Sequence, residues 1–138
     1  ISTGVAALDE MLGGRGYYRG SSVLISGTAG TGKSSLAAAF VDAACRRGED
    51  CLYLAYEESP AQIVRNMASI GIDLAPWVEQ ERLKFHAVRA TLHGLEQHLV
   101  TIHKLIETFR PRCVVMDPIT NLTAIGNRAE IMARFKSA

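Results

Sequence analysis

A chain of 138 residues, 48% hydrophobic and with a net charge of +1, has the size of one domain and enough apolar side chains to bury a core, which excludes disorder. The charges nearly cancel and no basic run occurs, so non-specific nucleic-acid binding is not indicated. No apolar stretch approaches the roughly 20 residues of a membrane span, and Ile1-Ser2-Thr3-Gly4 lacks the basic and apolar regions of a signal peptide; a cytoplasmic protein is expected, and the missing initiator Met suggests a piece of something longer.

In chain order, Val5, Leu8 and Leu12 fall at helical spacing over residues 1–12, with Ser2 or Thr3 as a candidate N-cap. Gly13-Gly14-Arg15-Gly16 breaks that helix, and Tyr17-Tyr18-Arg19-Gly20 leads into a strand over 21–26 built on Val23-Leu24-Ile25. There follows Gly27-Thr28-Ala29-Gly30-Thr31-Gly32-Lys33-Ser34, a complete match to the P-loop pattern of Gly, four residues, Gly-Lys-Ser/Thr.

Each P-loop residue has a physical reason. Glycines let the backbone turn sharply and approach an anion without a Cβ. The amide N–H groups of residues 28–34 can converge on phosphate oxygens, and the helix that follows adds the unpaired N–H groups of its first turn. Ala29, Thr31 and Ser35 belong to this cradle. Lys33 brings a full positive charge to the β- and γ-phosphates, and the Ser34 hydroxyl suits Mg²⁺ shared with the nucleotide. The pattern, with an apolar strand before it and a helix after, predicts a nucleotide site; a glycine-rich turn that binds nothing and a nucleotide site without chemistry are the competing readings.

The next helix spans about 34–47, with Leu36, Ala37, Phe40, Val41 and Ala44 on its buried face and Gly48 as its stop. Cys51 to Tyr56 is a nearly all-apolar run, the mark of a parallel strand covered on both faces. It ends in Glu57-Glu58-Ser59, where Ser59 is the expected N-cap and Pro60 the first residue of a helix carrying Ile63, Met67 and Ile70. A short helix around 74–80 contains Trp77, read as a packing anchor. Residues 82–88 alternate as a strand, with Leu83, Phe85 and Ala87 on one face and Lys84 and His86 on the other.

An amphipathic helix over about 94–109 places Leu95, Leu99, Ile102, Ile106 and Phe109 at steps of three and four. Cys113 to Met116 is a further apolar strand, ending in Asp117. Gly126-Asn127 marks a turn, and residues 129–135 begin a helix. Cys45, Cys51 and Cys113 are odd in number and far apart along the chain, so they read as buried free thiols rather than a disulfide set or zinc site. His86, His93, His98 and His103 show no metal-ligand spacing and read as solvated or hydrogen-bonded.

Strand and helix in alternation predict an α/β sandwich around a mostly parallel sheet. Ligands gather at the carboxyl ends of such strands, where Gly27, Glu57 and Asp117 all stand. Asp117 has the place of the aspartate that anchors Mg²⁺ through a bound water. Glu57 and Glu58 are candidates for the base that deprotonates an attacking water or hydroxyl. Their strand is expected beside the P-loop strand. Alternation along a strand lets only one of the two face the phosphate directly, and spacing alone does not choose between them. Two helix-capping carboxylates are the competing reading.

The successive stretches STGVAALDEMLGGRGYYRGSSVLISGTAGTGKS, YEESPAQIVRNMASIGID and VVMDPITNL resemble the KaiC family of circadian-clock ATPases in the RecA superfamily, most closely the second of two tandem ATPase repeats. The likeness runs from Ser2 to about Arg134. The resemblance implies a RecA-like P-loop NTPase binding ATP and Mg²⁺ at the interfaces of a homohexamer, acting as ATPase and Ser/Thr autokinase with clock partners of the KaiA and KaiB type. It places Lys33 on the phosphates, Ser34 and Asp117 on the metal side, and Glu57 and Glu58 as the catalytic pair, with Glu57 favoured as base and metal-side ligand. Some relatives carry an aromatic residue beside the adenine where this chain has Ile70, which leaves an apolar contact. A repeat of this family is longer than 138 residues, so residues 1–138 are expected to be the N-terminal part of one such domain. A DNA-dependent RecA-type motor and a scaffold that oligomerises on ATP with little turnover are the alternative functions.

Overall fold

In the computed structural model, residues 1–14, 16, 17, 20, 32–88 and 94–117 are described. The expected strand at 21–26, P-loop residues 27–31, His93, the turn at Gly126-Asn127 and the helix at 129–135 lie outside them.

Three five-residue strands, β1 (Cys51–Ala55), β2 (Leu83–Ala87) and β3 (Cys113–Asp117), form a parallel sheet in the order β2-β1-β3. Cys51 lies opposite both Leu83 and Cys113, and Ala55 opposite both Ala87 and Asp117. The three carboxyl ends are therefore level. Every residue of β1 is buried, as its apolar run predicts, and each large side chain so enclosed is worth roughly 1.5–3 kcal/mol. Both edges of β1 are taken by β2 and β3. β1 thus has β3, which carries Asp117, as a direct neighbour, while the expectation that the strand of residues 21–26 lies beside the Glu57 strand falls outside the described residues.

The helices are α1 (Ala6–Met11), α2 (Lys33–Arg46), α3 (Pro60–Ala68), α4 (Ala75–Glu79) and α5 (Leu95–Phe109). Parallel neighbours require crossover connections. The link from β1 to β2 carries α3 and α4, while the link from β2 back past β1 to β3 carries α5. The two links cover opposite faces. Cys51, Tyr53 and Ala55 pack with Val41, Ile63, Met67, Leu74 and Leu83 in one core, joined by Trp77 and Phe85. Leu52, Leu54 and Tyr56 pack with Ile102, Leu99 and Ile106 in the other. The period-two alternation of β1 thus feeds two cores.

Local signals account for the helix ends. Gly48 has φ +84, and Gly48 N–H and Glu49 N–H donate to Cys45 O and Ala44 O, both at 3.0 Å; this is the 5→2 and 6→1 pair of a Schellman stop. Trp77 anchors α4 through its Nε1–H, which donates to Asp42 Oδ1 at 2.8 Å, as well as through packing. Along α2 the buried residues are Ala38, Val41, Ala44 and Cys45, while Ala37 and Phe40 are partly buried.

One expectation is corrected. The N-cap of α1 is Val5, without a side-chain cap bond. Ser2 and Thr3 serve Asp9 instead: Ser2 Oγ donates to Oδ2 at 2.6 Å, and Thr3 N and Oγ1 donate to Oδ1, each at 2.7 Å. The three cysteines are free and buried, but they are not apart in space. Cys51 faces Cys113 across the β1–β3 ladder, and the neighbouring Cys113 and Cys45 thiols, with burial, push its thiol pKa up. His98 is buried, 3% exposed, with its ring edge-on to Tyr56 at 5.8 Å.

The N-terminal segment is held against α2 by a close backbone approach. Gly4 has φ +84, and a Cβ there would lie 2.0 Å from Ala39 O, so only glycine fits. The bonds from Ser2 and Thr3 hold the Asp9 carboxyl below its usual range. Such a group contributes stability above its unfolded-state pKa of about 4 and loses it as pH falls through the depressed value. Asp9→Asn should lower stability at pH 7 and flatten the acid limb of a denaturation series between pH 5 and pH 2; an unchanged acid limb would contradict the role.

Candidate functional site

The site is assembled at the carboxyl edge of the sheet, where α2 begins. Gly32 caps α2 with φ +86. A Cβ there would meet nothing within 4 Å, so the left-handed backbone, not crowding, calls for glycine. Lys33 and Ser34 follow as the first two helical residues, with Ser35 next. Their N–H groups belong to the unpaired first turn, which makes the positive end of the helix.

Asp117 ends β3 on the face that looks toward α2. Its backbone is secured by Tyr56 N–H, which donates to Asp117 O at 3.0 Å. Its carboxylate accepts from Ser34 Oγ at 2.9 Å and from Tyr53 OH at 2.6 Å, both at Oδ2. The Ser34 bond ties positions 83 residues apart and is the contact expected of a P-loop hydroxyl and a strand-end aspartate that share one ion. Tyr53 is fully buried. Burial, then the Asp117 charge, pushes its phenol pKa up, so it is a neutral hydrogen-bond donor.

One cleft is lined by Ser34, Glu57, Glu58, Ile63 and Asp117. Glu57 and Glu58 both line it. Strand geometry ends at Ala55, and Tyr56 to Glu58 form a bend, so the two-residue period no longer applies. The pair is nonetheless differentiated. Asn66 Nδ2 donates to Glu58 Oε2 at 3.3 Å, whereas the Glu57 carboxylate takes no hydrogen bond among the described residues.

The helix beyond the pair is firmly started. Ser59 and Gln62 form a capping box, with Gln62 N–H donating to Ser59 Oγ at 3.3 Å and Ser59 N–H to Gln62 Oε1 at 3.0 Å. Ile70 lies just past α3 and is 56% exposed; it does not line the cleft around Asp117. Thr28, Ala29, Gly30 and Thr31 lie outside the described residues.

The donor set fits Mg²⁺. It consists of oxygens alone, which suits a hard cation. Ser34 gives its proton to Asp117 and keeps its oxygen lone pairs available. Among the described residues no group of three His, Cys, Asp or Glu side chains forms a metal cage. The residue that sequence reasoning missed is Tyr53. It was a core position of an apolar strand, and only the pairing of β1 with β3 shows where its hydroxyl ends.

Because the capping box sets the entry to α3 beside Glu58, Ser59→Ala should lower stability by about 1 kcal/mol in a denaturant titration, and an unchanged midpoint would count against the cap.

Comparison with known proteins agrees with the geometry. The family model described as "ATPase: KaiC" matches residues 1–137. The chain is 56% identical over 127 residues to the circadian clock protein KaiC2 of Synechocystis sp., a match covering 92% of this chain and 22% of that protein. It is 41% identical over 122 residues to the circadian clock oscillator protein KaiC of Parathermosynechococcus lividus, covering 88% and 22%. The corresponding protein of Acaryochloris marina is 38% identical over 130 residues, covering 94% and 25%. The chain therefore spans about a quarter or less of the length of these relatives. Among the described residues no helix is long and apolar enough to cross a membrane. A P-loop helix start bonded to a strand-end aspartate, in a parallel α/β sheet and with the family match along nearly the whole chain, places this protein in the KaiC family of RecA-like, nucleotide-binding ATPase domains.

Proposed function

We propose that this chain binds ATP with Mg²⁺ between the start of α2 and the carboxyl ends of β1 and β3, and hydrolyses it. The observation that carries the reading is the Ser34–Asp117 hydrogen bond beside the Glu57–Glu58 pair in one cleft. Residues 27–34, with Ser35, cradle the phosphates. Lys33 neutralises charge on the β- and γ-phosphates, and Ile70 offers an apolar contact to the adenine. Ser34 and Asp117, with Glu57 on the same side, would hold Mg²⁺, which supplies charge neutralisation on the transferring phosphoryl group.

Glu57 orients the attacking water and takes its proton as the oxygen bonds to the γ-phosphorus and the bond to ADP breaks. Its carboxylate has no competing donor among the described residues, whereas Glu58 is held by Asn66; that difference supports Glu57 as the base. Glu58 shapes the charge of the same cleft.

Residues 1–138 act as the N-terminal part of a longer KaiC-type domain. The likeness to proteins named for the circadian clock supports a cytoplasmic role in a clock or clock-like signalling protein. That protein forms a homohexamer with ATP at the subunit interfaces, has Ser/Thr autokinase activity of the second-repeat type, and works with KaiA- and KaiB-like partners.

In the full-length protein, Glu57→Gln should retain ATP binding and lose roughly 10²-fold or more in turnover. γ-Labelled ATP should transfer label to the wild-type protein, and this transfer should fail in Glu57→Gln. Label found only in free phosphate, with turnover stimulated by single-stranded DNA, would favour a DNA motor instead. Lys33→Ala should abolish both nucleotide binding and assembly, as read by size-exclusion chromatography with and without ATP; an unchanged hexamer would contradict nucleotide at the interfaces.

A further inference from the structure

Among the described residues, Tyr53 is a buried polar group that the reaction does not account for. It stands at the centre of β1, fully buried, opposite Val115 of β3 and Phe85 of β2. Side chains two residues apart on a strand share a face, so Asp117 is the next residue of β3 on the Tyr53 side. The ring packs on Phe85 with centroids 5.1 Å apart, and the hydroxyl reaches diagonally to Asp117 Oδ2 at 2.6 Å. A phenol is costly to bury without a partner. A Leu or Phe would fill an apolar core strand without incurring that cost, so the hydroxyl calls for an explanation other than packing.

We propose that Tyr53 is a positioning residue that presets the Asp117 carboxylate for the metal–nucleotide complex from inside the core. This rests on the proposed ATP·Mg²⁺ site. Ser34 alone is a poor tether for Asp117, because its hydroxyl has two tasks: it donates to Oδ2 and, in the proposed site, it turns its lone pairs to the ion. Tyr53 has only one. It holds the same oxygen from the buried side, on a rigid strand and with its ring locked against Phe85, so the carboxylate keeps its orientation whether or not nucleotide is present. Partners that hydrogen-bond a ligating carboxylate characteristically set metal affinity in this way. The strong, charge-assisted bond also resists rotation of the carboxylate about its own axis.

The test separates the metal-dependent from the metal-free part of nucleotide binding. Binding of a fluorescent ATP analogue to the full-length protein is measured in EDTA and across a Mg²⁺ titration, for wild type, Tyr53→Phe and Asp117→Asn. Tyr53→Phe keeps the ring and its packing on Phe85. The Mg²⁺ concentration for half-maximal enhancement should rise about 10- to 100-fold, with affinity in EDTA unchanged. Tyr53→Leu, which substitutes the side-chain type of its neighbours Leu52 and Leu54, should show the same split.

An unchanged Mg²⁺ requirement in Tyr53→Phe overturns the proposal. So does an equal loss in EDTA and in Mg²⁺ in both variants, unfolding included, because the role is then structural. Asp117→Asn tells the two levels apart. If it leaves the Mg²⁺ requirement unchanged, the metal-side reading of Asp117 fails, and the Tyr53 inference fails with it. If it raises the requirement and Tyr53→Phe does not, the Tyr53 inference alone fails.

Discussion

The carboxylate of Asp117 joins the parts of this protein that have to meet. It sits at the end of β3, accepts from the first turn of α2 through Ser34, and accepts from the middle of β1 through Tyr53. One oxygen thus ties a helix start to two adjacent strands. The level register of β1 and β3 makes this possible, since a slip of one residue would turn Asp117 to the α5 face. The bond from Tyr56 N–H to Asp117 O fixes the same corner through the backbone, immediately before the two glutamates.

Burial and chemistry are divided along the strands. β1 is apolar throughout because both faces are covered, by α2, α3 and α4 on one side and by α5 on the other. Polarity begins where the strand ends. Glu57, Glu58 and Ser59 are exposed in succession after six buried residues, which keeps the two carboxylates clear of the desolvation cost of the core. The rigid layer beneath and the charged edge above form the arrangement in which α/β proteins place their ligands.

The same layering explains the features that looked isolated. The cysteines meet because α2 packs on β1 and β1 pairs with β3; they fill the amino-terminal half of the core, at the far end of the sheet from Asp117. His98 is buried because the α5 face that carries Leu99 and Ile102 covers the sheet beside Tyr56. Burial, then His98 and Lys84, pushes the His86 pKa down, so that imidazole is neutral near pH 7.

Much of the protein was legible from residue order, because it depends on local chemistry. The apolar runs of β1 and β3, the helical steps of α5, the Ser59–Gln62 cap and the Gly48 stop all use signals within a few residues of where they act. The P-loop pattern and Asp117 were legible for the same reason: each motif carries its own chemistry in its spacing. The tertiary structure decided what depends on pairing between distant segments. It set β1 between β2 and β3, placed both glutamates at one cleft by ending the strand at Ala55, and turned Ser2 and Thr3 from caps into partners of Asp9. It also gave Tyr53 a role no local pattern carries: a tyrosine in an apolar strand reads as core until the register brings its hydroxyl to a carboxylate 64 residues away.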